Sequence, residues 1–377
     1  MIQTPEIKVL PAGAYPAYIS DSFGKPDYHS PTGEYYPSTL VVSGVHGPEQ
    51  LAVLASLDMF RTFKDRHESG NMHGYMQILA GVNPYGLIHG TREFTEEPDR
   101  NDYGLVPPAP GAPKKPERIH GDPKGNLNRA FRSEPGSVRC TLTGTIDSVK
   151  RHISHADIVI DIHNSPLCHN CVLIDNGPYA KAYVKFCHEQ GLDFMVRNGP
   201  TDTIKRYAIE QGRVGFTIEL GGMGDCPGQA DLLRKQTEFL RKLLDAIGHI
   251  RKNCAITPNY YNGERKTCGG EYFWEYEDFF KQATPFTTNA MCQEIYHYGK
   301  YGFIEYTSDA TDIASRPVEA GTELGTIYCV DGTQEKIVAP IAGLVCDFKE
   351  HTNVAVPNKE LYYIQPVEAA LRELKNG

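Results

Sequence analysis

Three short runs, rich in β-branched residues and poor in charge, constrain the fold more than any other feature. They are LVVSGV at 40–45, ADIVIDI at 156–162 and VGFTIEL at 214–220. Such runs read as central strands buried on both faces, which occur where helices cover a largely parallel sheet. Each is accompanied by a helical pattern. LAVLASLDMF (51–60) follows the first, residues 145–154 precede the second, and the third leads through glycines into LLRKQTEFLRKLLDAIGHIRK (232–252). The alternation predicts an α/β fold, a sheet flanked by helices.

Two stretches depart from this pattern. Residues 93–125, EFTEEPDRNDYGLVPPAPGAPKKPERIHGDPKG, carry prolines and charges that suit neither a helix interior nor a central strand. They read as a long loop, either a cover over a site or a plain surface segment. From about residue 286 onward, short strand-like pieces alternate with turns: EYTSD, ELGTIYCVDG, EKIVAPIAGLV and ELYYI. These predict a smaller β domain. The expected division is an α/β domain over 1–255, with the insertion at 93–125, and a β domain over 256–377. Residues 256–285 are aromatic and charged and fit neither pattern.

A chain of 377 residues can bury the cores of two such domains. With Lys plus Arg at 38 and Asp plus Glu at 47, the net charge is -9, which argues against nucleic acid or an anionic membrane as partner. No stretch approaches the roughly 18 apolar residues of a membrane span. The opening MIQTPEIKVLPAG lacks a basic segment followed by an apolar run, so a cytoplasmic location is expected. Most of the ten Cys, scattered without a compact framework, read as reduced core thiols. Cys168-His169-Asn170-Cys171 is a single C-x-x-C, open to a redox or metal role or to two packed thiols.

Four places hold residues suited to chemistry. His46-Gly47-Pro48-Glu49 sits where a strand gives way to a helix, and can aim an imidazole and a carboxylate at one point. A surface turn with a capping Glu reads the same way. Asp161-Ile162-His163-Asn164-Ser165 ends a buried-looking strand, the position at which α/β sheets bind ligands, although a structural His fits equally. Two His and one Glu would leave the fourth tetrahedral position of zinc open for water, with Asp161 structural or orienting a ligand from behind. Glu219, in FTIELGG, closes a hydrophobic strand and suits a general base or a partner for an Arg. Asn126-Leu127-Asn128-Arg129-Ala130-Phe131 offers a guanidinium fork and an amide for a carboxylate, and Arg92 and Arg206 could join it. Each Arg alone also reads as a solvated surface charge. His89, His120 and His297 carry no local pattern that assigns a role.

Taken in order, His46-Gly-Pro-Glu49, Asn83-Pro84-Tyr85-Gly86, Leu127-Asn128-Arg129-Ala130-Phe131, Asp161-Ile162-His163 and Ile218-Glu219-Leu220-Gly221 resemble the succinylglutamate desuccinylase/aspartoacylase family of zinc carboxypeptidase-like hydrolases. The resemblance runs from Leu40 to the C-terminus. It implies a mixed sheet flanked by helices, and VEAGTELGTIYCVDG with IVAPIAGLV looks like that family's small lipoyl-like barrel. It implies one zinc ion per chain held by His46, Glu49 and His163, and Glu219 as general base. Asn128 and Arg129 would bind the substrate carboxylate, Arg92 the oxyanion or substrate, and Arg206 the substrate. Pro48 stands where Asn is usual, which leaves the ligands intact. Asn126 replaces the usual Asp, the 93–125 insertion is atypical, and no Tyr of the C-terminal domain matches the family's substrate-contacting tyrosine.

The activity so implied is hydrolysis of the amide of an N-acyl amino acid or related small carboxylated amide. A metallo-carboxypeptidase acting on short peptides is the alternative, because the same ligands and Arg129 would serve a peptide's terminal carboxylate. A non-catalytic carrier built on the β domain is disfavoured: AGLVCDFK lacks the Met-Lys-Met kind of site expected of a biotin carrier. The acyl group and homo-oligomerisation stay open, and cobalt or manganese would fit the same ligands.

Overall fold

The computed structural model describes residues 18–26, 35–72, 74–90, 92, 126–131, 143–165, 169–200, 202–222, 229–251, 266–268, 271–280, 291–297, 299–307, 317–348 and 354–366. In chain order the elements begin β1 (Ile19–Gly24), β2 (Thr39–Ser43), α1 (Gln50–Glu68), β3 (Tyr75–Ala80), α2 (Pro84–His89), α3 (Thr143–His155) and β4 (Ile158–Ser165). There follow β5 (Cys171–Asp175), α4 (Ala180–Glu189), β6 (Phe194–Arg197), α5 (Ile204–Glu210), β7 (Val214–Gly221) and α6 (Gln229–Ile247). Then come β8 (Ile250–Arg251), β9 (Lys266–Cys268), β10 (Glu271–Glu275), a 3-10 turn at Tyr276–Phe279, β11 (Gln293–His297), β12 (Gly302–Tyr306) and β13 (Pro317–Val318). Last come β14 (Glu323–Cys329), β15 (Gln334–Val338), β16 (Gly343–Phe348), β17 (Val354–Ala355) and β18 (Lys359–Gln365). The proline-rich stretch 93–125, Cys168 and His120 lie outside the described residues. Among those described, no helix is long and apolar enough to cross a membrane.

The chain forms two compact units that interleave along the sequence. One takes Met1–His163, Pro200–Phe216 and Ile247–Tyr276, the other Asn164–Gly199, Thr217–Ala246 and Glu277–Gly377. In the first unit, β2 runs parallel to both β3 and β4, and β1 closes the edge antiparallel to β3. Every residue of β2 and β4 is buried, as expected of strands covered on both faces. Leu40, Val42, Leu79, Val159, Val149, Ile153, Leu127 and Phe131 share one apolar core, which seats α3 and the 127–131 turn against the strands. β4 continues past Ile162 to Ser165, so His163 is a strand residue rather than the first of a loop. β8, β9 and β10 make a small separate sheet in this unit.

In the second unit, β5 pairs antiparallel with β7 and parallel with β6. The later strands of this unit form two antiparallel four-stranded sheets, β11-β18-β16-β13 and β15-β14-β12-β17. They enclose Ile304, Leu324, Ile327, Val345, Tyr362 and Ile364 as a common core. A second cluster, Cys171, Leu173, Met195, Cys292, Cys346 and Tyr363, fixes this all-β module to β5 and β6. Gln365 adds direction to that apolar contact, accepting from Val196 N at 2.8 Å and donating to Phe194 O at 3.3 Å. Cys171, Cys187, Cys292, Cys329 and Cys346 are all buried thiols.

Candidate metal centre

The turn between β2 and α1 is fixed before any functional side chain is placed. Gly44 has φ +73, and a Cβ there would come within 2.7 Å of Gly81 Cα, so only glycine fits this approach. Asn83 then ties the turn from outside: its backbone N–H donates to Gly44 O at 2.9 Å and its Nδ2 to Val45 O at 3.1 Å. The next residue is His46. Pro48 ends the turn, and Glu49 occupies the N-cap of α1 without making a side-chain cap bond. Its carboxylate is therefore turned to other partners, at the positive end of the helix.

Those partners are two imidazoles. Glu49 Oε1 lies 2.7 Å from His46 Nδ1 and Oε2 lies 2.9 Å from His163 Nδ1. All three side chains are buried, and their donor atoms lie within 4.8 Å of one another. The outer nitrogens are also held. His46 Nε2 meets Asn126 Oδ1 at 3.0 Å, and His163 Nε2 meets Asp161 Oδ2 at 2.9 Å. Asn126 Oδ1 accepts from the backbone N–H of Asn128 at 2.9 Å, which identifies that atom as the oxygen. His46 then donates from Nε2, and its Nδ1, 2.7 Å from Glu49 Oε1, meets the carboxylate through a second proton or through a bound cation. Two imidazole Nδ1 atoms and one carboxylate are a donor set that fits zinc, with Asn126 and Asp161 fixing ring orientation from behind.

The electrostatics follow from burial and these contacts. Burial pushes the His46 pKa down, and Arg92 and His163 add to this against the pull of Glu49. For Glu49, burial acts upward, yet the two imidazoles outweigh it and hold the carboxyl below the ordinary range. Burial likewise opposes charge on His163, but Asp161 and Glu49 raise it well above the usual imidazole value.

The remaining expected site residues are distributed as follows. Arg92 Nη1 lies 3.9 Å from Glu49 Oε1 with its side chain partly exposed. Asn128 Nδ2 lies 3.0 Å from His163 Nε2 and 3.2 Å from Asp161 Oδ2, and its Oδ1 accepts from Ile204 N at 3.0 Å, linking the turn to α5. Arg129 donates from Nη1 to Asn128 O at 2.9 Å. Arg206, on α5, pairs through Nε with Glu210 at 3.2 Å, one helical turn on. Glu219 belongs to the second unit, near the carboxyl end of β7 and opposite Cys171 of β5. The contact of Asn126 with His46 has no counterpart in the sequence reading. Its trace there is the Asn-x-Asn spacing, since an Asn side chain often caps the backbone N–H two residues on.

A model of the succinylglutamate desuccinylase/aspartoacylase catalytic domain matches residues 35–247. No curated protein matches the chain at a significant level. Among solved structures, a succinylglutamate desuccinylase from Silicibacter sp. aligns with TM-score 0.56 at 13% identity, over 93% of this chain and 88% of that one. An aspartoacylase family protein from Mesorhizobium loti aligns with TM-score 0.55 at 16% identity, over 93% and 89%. The product-bound ectoine utilization protein of Ruegeria pomeroyi aligns with TM-score 0.53 at 15% identity, over 88% and 86%. At these identities the structures establish a shared α/β fold with a mixed sheet. The family model spans more than half of the 377 residues and includes both histidines, Glu49 and the strands that carry them, and on that ground the chain belongs to the succinylglutamate desuccinylase/aspartoacylase family.

Proposed function

We propose that this member of a hydrolytic family is a zinc-dependent deacylase that cleaves the amide of an N-acyl amino acid or a closely related small carboxylated amide. The observation that carries the reading is the convergence of His46 Nδ1, His163 Nδ1 and Glu49, each imidazole being held from behind. His46, Glu49 and His163 would hold zinc, which would supply a Lewis acid for the scissile carbonyl and lower the pKa of a water. Glu219 takes a proton from the attacking water and passes it to the departing nitrogen, so that the C–N bond breaks to an amine and a carboxylate. Arg92, beside Glu49, balances the charge that develops on the carbonyl oxygen. Arg129 and Arg206 supply donors for the substrate carboxylate, together with Asn128, whose Nδ2 lies within reach of both Asp161 Oδ2 and His163 Nε2.

The family match over 35–247 supports a catalytic domain over 1–255. Two antiparallel sheets closed on one apolar core support a lipoyl-like barrel within 256–377. Elemental analysis of wild type and His163→Ala, paired with amine release from acetyl-, succinyl- and formyl-amino acids and from dipeptides, tests the proposal. About one zinc per chain, lost in the variant, with release from acyl-amino acids is the expected result. Release from dipeptides alone would replace the deacylase with a carboxypeptidase, and a metal-free wild type would remove the catalytic reading.

A further inference from the structure

His46 and His163 meet Glu49 in the same way but are backed differently. Behind His163 stands a carboxylate, Asp161 Oδ2, 2.9 Å from Nε2 and fully buried, with Asn128 Nδ2 3.0 Å from the same nitrogen and 3.2 Å from that oxygen. Behind His46 stands a neutral amide, Asn126 Oδ1, at 3.0 Å. The amide cannot turn over, because the same oxygen accepts from Asn128 N at 2.9 Å. Asn126 is itself buried, so water does not screen the difference between an amide and a carboxylate at this position. An anionic acceptor makes an imidazole a stronger ligand than a neutral one does, since it stabilises positive charge drawn onto the ring.

We propose that Asn126 is a positioning residue that locks His46 with its proton on Nε2 while leaving it the weaker of the two imidazole ligands, so that this one side chain sets how tightly the centre retains metal. The proposal rests on the metal-binding part of the function above. It makes opposite demands on two substitutions. Asn126→Ala removes the acceptor, frees the ring to rotate and to change tautomer, and weakens metal binding by about 10–100-fold. Asn126→Asp keeps shape and acceptor, adds the charge that His163 already has behind it, and tightens binding by about tenfold.

The measurement is transfer of zinc from the full-length protein to a chromogenic chelator at fixed pH, read as rate and as equilibrium affinity, for wild type and both variants. Unfolding midpoints of the metal-free forms are recorded alongside. A purely structural Asn126 would make both substitutions harmful. Retention in the order Asp above Asn above Ala supports the proposal. An Asp variant that holds zinc no better than wild type overturns it, as does an Ala variant that holds zinc equally well. If Asn126→Ala does not fold, the Asp variant decides alone. Failure of the wild type to bind zinc would instead overturn the functional reading, which keeps the two failures separate.

Discussion

Asn83 donates from Nδ2 to the carbonyl of Val45 at 3.1 Å, so the residue that caps α2 also holds the one that precedes His46. Its Oδ1 accepts from Gly86 N at 2.9 Å, and the residue is fully buried. Asn83→Ala therefore removes a helix cap and orphans a buried carbonyl in one change. The expected loss is about 2 kcal/mol or more, given typical costs of about 0.5–2 for a cap and about 1–3 for a buried unsatisfied group. Urea unfolding measures it. Zinc affinity should fall as well, because the turn that carries His46 loses its side-chain tie; unchanged affinity would show that the bond from Asn83 N–H to Gly44 O, which the variant keeps, holds the turn sufficiently.

The parts of this molecule most legible from sequence are those where local pattern and tertiary environment agree. The runs at 40–45, 156–162 and 214–220 correspond to β2, β4 and β7, because a strand buried on both faces writes its environment into consecutive residues. β1 was invisible. Its sequence ISDSFG alternates partly exposed positions, and only pairing with β3 gives it a partner. β5 and β6 are four or five residues long, too short for a period to register. Motif order groups the metal ligands and so encodes their contact indirectly. The roles of the two asparagines were harder to read, since an amide can serve a backbone, a ligand or a substrate equally well. The choice rests on long-range contacts such as Asn126 to His46 and Asn128 to Asp161.

Metal removal should destabilise the first unit selectively. The chain has a single tryptophan, Trp274, which is buried in β10 of that unit and so reports its unfolding by fluorescence. A ligand present at a hundred times its dissociation constant adds about 2.7 kcal/mol to the folded state. Chelation should lower the Trp274 transition accordingly, and zinc should restore it. A midpoint indifferent to chelator would mean that the His46, Glu49 and His163 set holds no ion in the folded protein.

Alkali should act first on the second unit. Burial raises the phenol pKa of Tyr306, Tyr362 and Tyr363 above the ordinary value, with Glu360 adding to it at Tyr363. Tyr362 also donates to Val338 O at 2.9 Å. A raised folded-state pKa contributes stability that is complete below the unfolded value of about 10 and is lost as pH climbs toward the folded one. Unfolding of the β module should therefore become easier above pH about 10. Absorbance near 295 nm should show these phenols ionising together with loss of structure, later than exposed tyrosines. Ionisation of every tyrosine near pH 10 in a still-folded protein would contradict the burial argument.

Glu219 offers the sharpest separation of chemistry from architecture. It lies near the carboxyl end of β7, partly exposed, with the strand continuing to Gly221. That strand end is anchored without the Glu219 side chain: Asn170 Oδ1 accepts from Gly221 N at 2.8 Å, and Gln236 Nε2 donates to Gly221 O at 2.7 Å. Glu219→Gln keeps volume and hydrogen-bonding capacity but loses the proton acceptor. The expected outcome is a fall in kcat of about 10²–10⁴, the usual contribution of a positioned general base, with zinc content and KM near wild type. A fall in zinc content would recast Glu219 as part of the metal environment. Retained kcat would move the proton-accepting role to another residue.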